Sequence, residues 1–335
     1  MSRLRAAVVG IRGIGRRHAQ VVAGLEEYKL VALADLDEAL VGEAAAEYGA
    51  RPFHDFGAML REERPDVVVI STPNASHARL TLEAVEAGVR GVYCEKPMAV
   101  NLGDAQAMVA ACEARGVQLA VNHQRRTLPP FRSMRRLIQE GAIGRVETIR
   151  ASCAGDFLTD GTHLVDTVRH LLDDAPAKWV FAQVGREHKE SRYGHAVEDG
   201  ALALVEFADG TQAEFRTGAM QRKGGRYQDF EVIGSEGRLW RAGDSAAIPV
   251  VIQDVDGGWR QVPLDDGPGA EENLRLFARN VIAGGGEHPL SGRSGLADQE
   301  IVMAVFESAR LRARVDLPLS QLRYPLDLLI EEGAL

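Results

Sequence analysis

Cysteine is scarce in this chain. Cys94, Cys112 and Cys153 are the only three among 335 residues, an odd number with no CxxC pair. That speaks against a disulfide framework and a cysteine-based zinc site, and for a reducing compartment. No metal is expected. A chain of this length builds its core without such staples. Positive charge is also short: the formal net charge is −9, which argues against a nucleic-acid or anionic-membrane partner. No apolar run approaches the ~20 residues of a membrane span. The segment from Met1 to Arg5 leads straight into a short apolar stretch, without a signal-peptide core or cleavage pattern. Repeats and low-complexity tracts are absent. These gaps leave a soluble, cytoplasmic, globular protein, and the length suggests roughly two domains at ~150 residues each.

The first third alternates strand and helix. Apolar strand-like runs lie at Leu4 to Val9, Leu30 to Ala34, Val67 to Ser71, Gly91 to Cys94 and Val117 to Val121. Helix-like segments lie between them, from Arg16, Asp37, Ala78 and Leu102. Such alternation implies βαβ units and a parallel sheet. Continuous apolar strands fit a sheet covered on both faces. The expected fold is an α/β Rossmann domain over residues 1–122, with a doubly wound parallel sheet.

Gly10, Gly13 and Gly15 follow the first strand and open the first helix, and Asp35 stands 20 residues beyond Gly15 at the end of the second strand. This is the context of a dinucleotide fingerprint. Glycines let the backbone approach a pyrophosphate, and the helix N-terminus at Ile14 stabilises its charge. Asp35 suits ribose hydroxyls and repels a 2′-phosphate, and Leu36 offers no cation, so NAD is favoured over NADP. Arg12 stands where the second glycine of G-x-G-x-x-G belongs. Three readings remain open: Gly13 takes over the close approach, Arg12 stacks over the diphosphate, or the site has lost the dinucleotide.

The run ending at Cys94 delivers Glu95-Lys96-Pro97 to the carboxyl edge of the sheet, where ligands bind in such folds. Pro97 restricts the backbone of Lys96 and so sets the starting direction of its amine. Beyond Val121 the character changes. Arg125 and Arg126 sit in a proline-containing crossover, suited to a carboxylate or a hydroxyl cluster, or simply solvated. An amphipathic helix runs from Phe131 to Glu140. Thr159, His163 and Asp166 share one face at helical spacing. Alternating runs then follow, among them Trp179 to Val184, Ala201 to Phe207 and Tyr227 to Ile233, with hairpin turns between. They predict an α+β second domain over residues 123–335, with a large, mostly antiparallel open sheet. Its uncovered face suits another subunit. Polar loops at Gly185 to Gly194 and Gly218 to Arg226 either border a substrate pocket or are plain hairpin loops.

With these pieces in order, the chain resembles the Gfo/Idh/MocA oxidoreductases, the glucose-fructose oxidoreductase and inositol dehydrogenase family. The matching residues are Gly10 to His18, Thr72-Pro73-Asn74 with His77, Glu95-Lys96-Pro97, Asn122 to Arg126, Ile138 to Val146, Gly161 with His163 and Asp166, and Glu231 to Leu239. The resemblance implies a nicotinamide cofactor and a small sugar or polyol substrate. It implies that Thr72, Pro73 and Asn74, with His77 in the same motif, lie on the cofactor side. It places Glu95 near the nicotinamide ribose and Lys96 beside the reacting carbon, after a cis bond to Pro97. It gives His163 a role in proton exchange, for which a histidine's ordinary pKa is suited. Many redox members carry an aspartate four residues before this histidine, where Thr159 stands; Asp160 is one residue late. Either Asp160 is displaced into the site or the third catalytic group is missing. The family builds dimers or tetramers on the second domain's sheet. Two other readings are a retained-NAD enzyme, oxidising a sugar transiently for elimination or epimerisation, and a dinucleotide-binding sensor without chemistry.

Overall fold

A computed structural model describes residues 3–221, 227–243, 249–265, 267, 269, 271–286 and 288–335. The elements in chain order begin with β1 (Leu4–Val9), α1 (Ile14–Gly24), β2 (Tyr28–Ala34), α2 (Glu38–Tyr48), β3 (Arg51–Phe53), α3 (Phe56–Glu63), β4 (Val67–Ile70), α4 (His77–Glu86), β5 (Gly91–Cys94), α5 (Leu102–Arg115) and β6 (Gln118–Val121). They continue with α6 (Pro129–Gln139), β7 (Val146–Cys153), α7 (Thr162–Leu171), β8 (Ala177–Gly185), β9 (Ser191–Arg192), β10 (His195–Ala196), β11 (Gly200–Phe207), β12 (Gln212–Thr217), β13 (Gln228–Gly234), β14 (Gly237–Ala242), β15 (Val250–Asp254) and β16 (Trp259–Val262). The last are α8 (Glu271–Ala283), α9 (Gly292–Leu311), β17 (Val315–Asp316) and α10 (Pro325–Glu331).

The first unit comprises residues 1–123 and 270–296. Its sheet has the order β3-β2-β1-β4-β5-β6, all parallel. Neighbouring residues of β4 enter different cores: Val68 and Ile70 join one hydrophobic cluster, Val67 and Val69 the other. Helices therefore cover both faces, and the apolar run has no polar alternation because neither face meets water. The caps are local in sequence. Asp37 accepts from Leu40 N at 3.1 Å, Asn101 from Asp104 N at 2.8 Å, and Gly49 and Gly116 end their helices with φ of 68° and 66°.

Residues 270–296 correct the two-block division, which placed everything after residue 122 in the second domain. Leu274, Phe277, Ala278 and Val281 of α8 are buried in the cluster of Tyr28, Tyr93 and Ala120. The Tyr28 hydroxyl donates to Leu274 O at 2.8 Å, and the rings of Tyr93 and Phe277 lie 5.5 Å apart. The amphipathic face of α8 predicts burial; its partner is set by tertiary packing.

The second unit comprises residues 124–269 and 297–335. Its nine-stranded sheet has the order β16-β15-β14-β13-β7-β12-β11-β8-β17. Among the described residues only β7 and β12 pair in parallel; the other pairings are antiparallel. One face is the core. Phe131 of α6 meets Phe230 at 5.6 Å, and Phe157 meets Phe215 at 6.0 Å and Phe306 of α9 at 6.3 Å. The opposite face exposes Phe181, Leu202, Trp240 and Trp259. No described helix is long and apolar enough to cross a membrane.

Candidate active site

The chain order reverses between β1 and β4, the switch point where doubly wound sheets bind ligands. The loops leaving these strands touch there. Gly10 has φ 84°, and a Cβ on it would lie 2.6 Å from Ser71 O. A Cβ on Gly15 would lie 1.6 Å from Gly10 O. Both glycines thus serve close backbone packing. Gly13 differs: its φ is 50° and a Cβ there would meet nothing within 4 Å. Arg12 points away, with its guanidinium 2.6 Å from Asp37 and 76% of its side chain exposed. No side chain caps α1, and its first turn, from Ile14, has no acidic residue. Asp35 accepts from Ile11 N at 2.7 Å and from Asp37 N at 3.0 Å. An open glycine at positive φ beside an uncapped helix start fits the diphosphate of a dinucleotide.

The turn after β5 is held from behind. The Lys96–Pro97 bond is cis, and Lys96 is half-buried. Glu95 Oε1 lies 2.6 Å from His18 Nε2 and accepts from Asn122 Nδ2 at 2.6 Å. Its Oε2 accepts from Lys96 N at 3.3 Å. Tyr93 donates to Asn122 Oδ1 at 2.5 Å, and its ring stacks edge-on with His18. Burial pushes the Glu95 carboxyl up, but His18, Asn122 and the Lys96 charge outweigh it and hold it at about 2. His77 is fully buried. Its Nδ1 lies 2.8 Å from Pro97 O and its Nε2 2.8 Å from Thr72 O. Burial lowers its pKa, more than the two carbonyls and Glu95 raise it. Thr72 and Asn74 sit in the loop after β4, where Ser76 Oγ bonds Thr72 Oγ1 at 2.6 Å; Asn74 is buried and Pro73 exposed.

In the second unit, His163 is buried on α7. It does not share a uniform helical face with Thr159, because residues Phe157–Gly161 form a π-helical turn and α7 begins only at Thr162. The wider turn shifts the spacing on which that expectation rested. Thr159 Oγ1 lies 3.5 Å from His195 Nε2. Asp160 is buried: Tyr227 donates to its Oδ1, and Arg192 Nη1 to its Oδ2 at 2.9 Å. Arg192 also reaches Asp156 at 3.1 Å. Arg126 and Asp166 are turned on each other. The Arg126 Nε donates to Asp166 at 2.6 Å, and both terminal nitrogens donate to Asp174 at 2.8 Å. This buried ion network occupies the guanidinium that the sequence offered to substrate. Arg125 is buried, its guanidinium 5.9 Å from the Phe131 ring centre.

Several polar residues joined to these groups carried no role in the sequence reading. His18 and Asn122 lay inside the quoted motifs, and buried polar types at such positions were the available signal. Arg192 lies in the loop Gly185 to Gly194, left open as pocket border or plain hairpin. The second loop, Gly218 to Arg226, falls at 222–226 outside the described residues. Glu198 gave no signal. It is buried, accepts from Phe157 N at 2.5 Å, and leaves Oε2 without a hydrogen-bond partner. Burial, with Asp156 beside it, pushes its carboxyl up to about 8.

The parallel sheet, its glycine loop and the acidic end of β2 define a dinucleotide-binding Rossmann protein. Residues 4–123 match the GFO/IDH/MocA oxidoreductase family with NAD-binding Rossmann fold, and residues 153–240 match the GFO/IDH/MocA C-terminal domain. The chain belongs to the GFO/IDH/MocA oxidoreductases, as its motifs implied. It is 30% identical to the D-apiose dehydrogenase of Paraburkholderia graminis, over 95% of this chain and 90% of that protein. It is 33% identical to the 1,5-anhydro-D-fructose reductase of Ensifer adhaerens, over 73% of this chain and 77% of that one. Its fold matches the WlbA dehydrogenase of Bordetella pertussis, solved with NADH and UDP-GlcNAcA, with TM-score 0.80 and 24% identity over 95% of this chain and 100% of that one.

Proposed function

We propose that the protein is a dehydrogenase or reductase that moves a hydride reversibly between NAD and the carbinol carbon of a sugar or polyol. The observation that carries this reading is the Lys96 turn, braced by Glu95 and Pro97 at the edge where the fold holds its dinucleotide. Bound nicotinamide supplies the hydride chemistry. Gly13 and the start of α1 receive the diphosphate, and Asp35 the adenine ribose. Thr72, Pro73, Asn74 and Glu95 line the nicotinamide side. Lys96 donates to the reacting oxygen and stabilises its developing negative charge. His163 exchanges the proton of that oxygen. Asp35 and the exposed Leu36 favour NAD over NADP, because neither pairs with a 2′-phosphate. The relatives' names supply a first substrate panel: D-apiose, 1,5-anhydro-D-fructose, myo-inositol and levoglucosan. The three cysteines, all unpaired and buried, suit the cytoplasm. The exposed Phe181, Trp240 and Trp259 on the outer face of the nine-stranded sheet suit a homodimer or homotetramer.

The test is Lys96→Ala, assayed at 340 nm with NAD or NADH across that panel. Removing one such donor typically costs ~10²–10³ in kcat, with NADH affinity nearly intact. Wild-type turnover in the variant would rule out the assignment. Turnover with NADP at the NAD rate would rule out the cofactor preference.

A further inference from the structure

The chain places one buried histidine on each side of Lys96. His18, on α1 directly behind the glycine loop, has its Nε2 2.6 Å from Glu95 Oε1. His77, the first residue of α4, has its Nδ1 2.8 Å from Pro97 O. The other ring nitrogen of His77 lies 2.8 Å from Thr72 O, in the loop after β4. Residues 95 and 97 are thus each fastened to a different cofactor-edge segment, and only the Lys96 backbone lies between the two fastenings. We infer that His18 and His77 are positioning residues that set the Lys96 amine by tying its turn to α1 and to the loop after β4.

Neither imidazole is a surface feature: His18 is 6% exposed and His77 fully buried. A buried ring that crosses between loops fixes a distance that backbone pairing alone leaves free. The parallel ladder ends with Ile70 opposite Cys94, so beyond it no sheet hydrogen bond holds Thr72 to Pro97. His77 supplies that link: its ring spans the two carbonyls and donates its N–H to one of them when neutral, to both when protonated. On the other side, Asn122 adds a second donor to the Glu95 oxygen that His18 reaches. With this carboxylate occupied from behind, Glu95 braces Lys96 through the amide of the same turn. His77 thus takes a place behind the cofactor edge: both ring nitrogens face main-chain carbonyls, so its motif acts through Thr72 and Pro97.

A misplacement of about 1 Å at a reacting group costs on the order of 10²-fold in rate. The inference rests on the catalytic reading of Lys96, and the test separates the two. Paired variants keep or remove one contact at a time. In His77→Asn the amide nitrogen falls near the Nδ1 position and keeps the Pro97 bond; in His77→Gln it falls near Nε2 and keeps only the Thr72 bond. His18→Gln keeps the Glu95 contact and His18→Phe removes it. Each purified full-length variant is assayed with the panel substrate that wild type turns over fastest, with NADH binding by fluorescence and the isotope effect of 4-deuterated NADH alongside.

The expected result is a loss of kcat of roughly 10–100-fold in His77→Gln and His18→Phe. NADH affinity stays at the wild-type value and the isotope effect rises as hydride transfer becomes limiting. His77→Asn and His18→Gln retain clearly more activity than their partners. Equal losses within each pair, or losses matched by weaker NADH binding, would overturn the positioning role while leaving Lys96 catalytic. Wild-type turnover in Lys96→Ala would overturn the reaction itself, and this inference with it.

Discussion

Tyr227 donates its hydroxyl to Asp160 Oδ1 at 2.5 Å, on the oxygen opposite the one that Arg192 reaches. The carboxylate adjacent to the family's usual aspartate position is therefore bound from both sides. A group so engaged anchors the β9–β10 hairpin, because Arg192 bridges from it to Asp156. Asp160→Ala strands the Tyr227 hydroxyl and half of the Arg192 contact. Hydrogen bonds to charged groups contribute about 1.5–3 kcal/mol, and the 44% exposure of the Arg192 side chain places the expected loss at the lower end. Urea denaturation measures it. Steady-state kcat should fall much less than in Lys96→Ala; an equal fall would place Asp160 in the chemistry.

The glycine loop separates two kinds of glycine. Gly15→Ala drives a Cβ to 1.6 Å from Gly10 O, and backbone cannot yield there as a flexible side chain would. The loop must rebuild, and NADH binding should vanish. Gly13→Ala meets open space, but at φ 50° and ψ −105° the backbone lies outside the left-handed helical region, in a conformation that favours glycine, so its folding cost is backbone strain of about 1–3 kcal/mol. Its Cβ would crowd the diphosphate, so NADH affinity should fall while the fold survives. Arg12→Ala breaks an exposed pair with Asp37, which is worth at most about 1 kcal/mol, and should leave NADH affinity nearly unchanged. Fluorescence titration of the three variants ranks them. A large loss in Arg12→Ala would mean that this side chain, rather than Gly13, meets the diphosphate.

The fold was legible where the reasons were local. Val67 to Ile70 reads as a doubly covered strand because its run of four apolar residues has no polar alternation, and both cores receive it. Asp37 and Asn101 mark helix starts through side-chain oxygens that accept backbone N–H groups, and Gly116 marks an end by its positive φ. The site was legible where a motif fixes the backbone, as at Gly10 to Gly15 and Glu95 to Pro97. It was not legible where a side chain's partner lies far along the chain. Arg126 looks available in sequence, and only the fold brings Asp174 to its terminal nitrogens. The π-helical turn at Phe157–Gly161 defeated an inference made on α-helical spacing, since one wider turn re-aims every side chain before it. Residues 270–296 return to the first unit for the same reason: an apolar stripe specifies burial without naming the surface that buries it.

The outer face of the nine-stranded sheet gives a third prediction. Phe181 is 52% exposed, Trp240 43% and Trp259 49%. The strand registers put them on one face: Leu204 pairs with Phe181, Glu231 with Trp240, and Gln253 with Trp259. Between Leu204 and Trp240 the same face carries Glu214, Arg150 and Glu231, so exposed aromatics flank a band of ion pairs, a mixed surface suited to association. Sedimentation velocity should show a dimer or larger species. Phe181→Asp combined with Trp240→Asp should shift it towards monomer without loss of secondary structure. A wild-type monomer at micromolar concentration would remove the assignment.

Glu198 makes stability fall as pH rises above neutrality. Burial is the main cause that lifts its carboxyl to about 8, with Asp156 and Asp199 adding repulsion, against an ordinary glutamic acid value near 4.3. Between those values the folded state binds a proton that the unfolded state has lost, so raising the pH favours unfolding. Three histidines act in the opposite direction lower down. Burial lowers His77, takes His170 to about 3 and takes His288 to about 4. The unfolded chain protonates them first and is still half protonated at the ordinary value near 6.5, so their contribution grows with pH and levels off only about one unit higher, adding roughly 0.4 kcal/mol per histidine beyond pH 6.5. Glu95, held at about 2, is fully ionised in both states above pH 6.5. From pH 6.5 to 8 the histidines offset Glu198, and its share is read as the difference between wild type and a variant that cannot ionise at this position. Relative to Glu198→Gln, wild type should lose about 1.5 kcal/mol of unfolding free energy across that window, read from urea midpoints at constant ionic strength. Glu198→Gln keeps an acceptor for Phe157 N but cannot ionise, and its stability should rise across the window with the histidines. A slope in the variant equal to that of wild type would show that another group carries the proton.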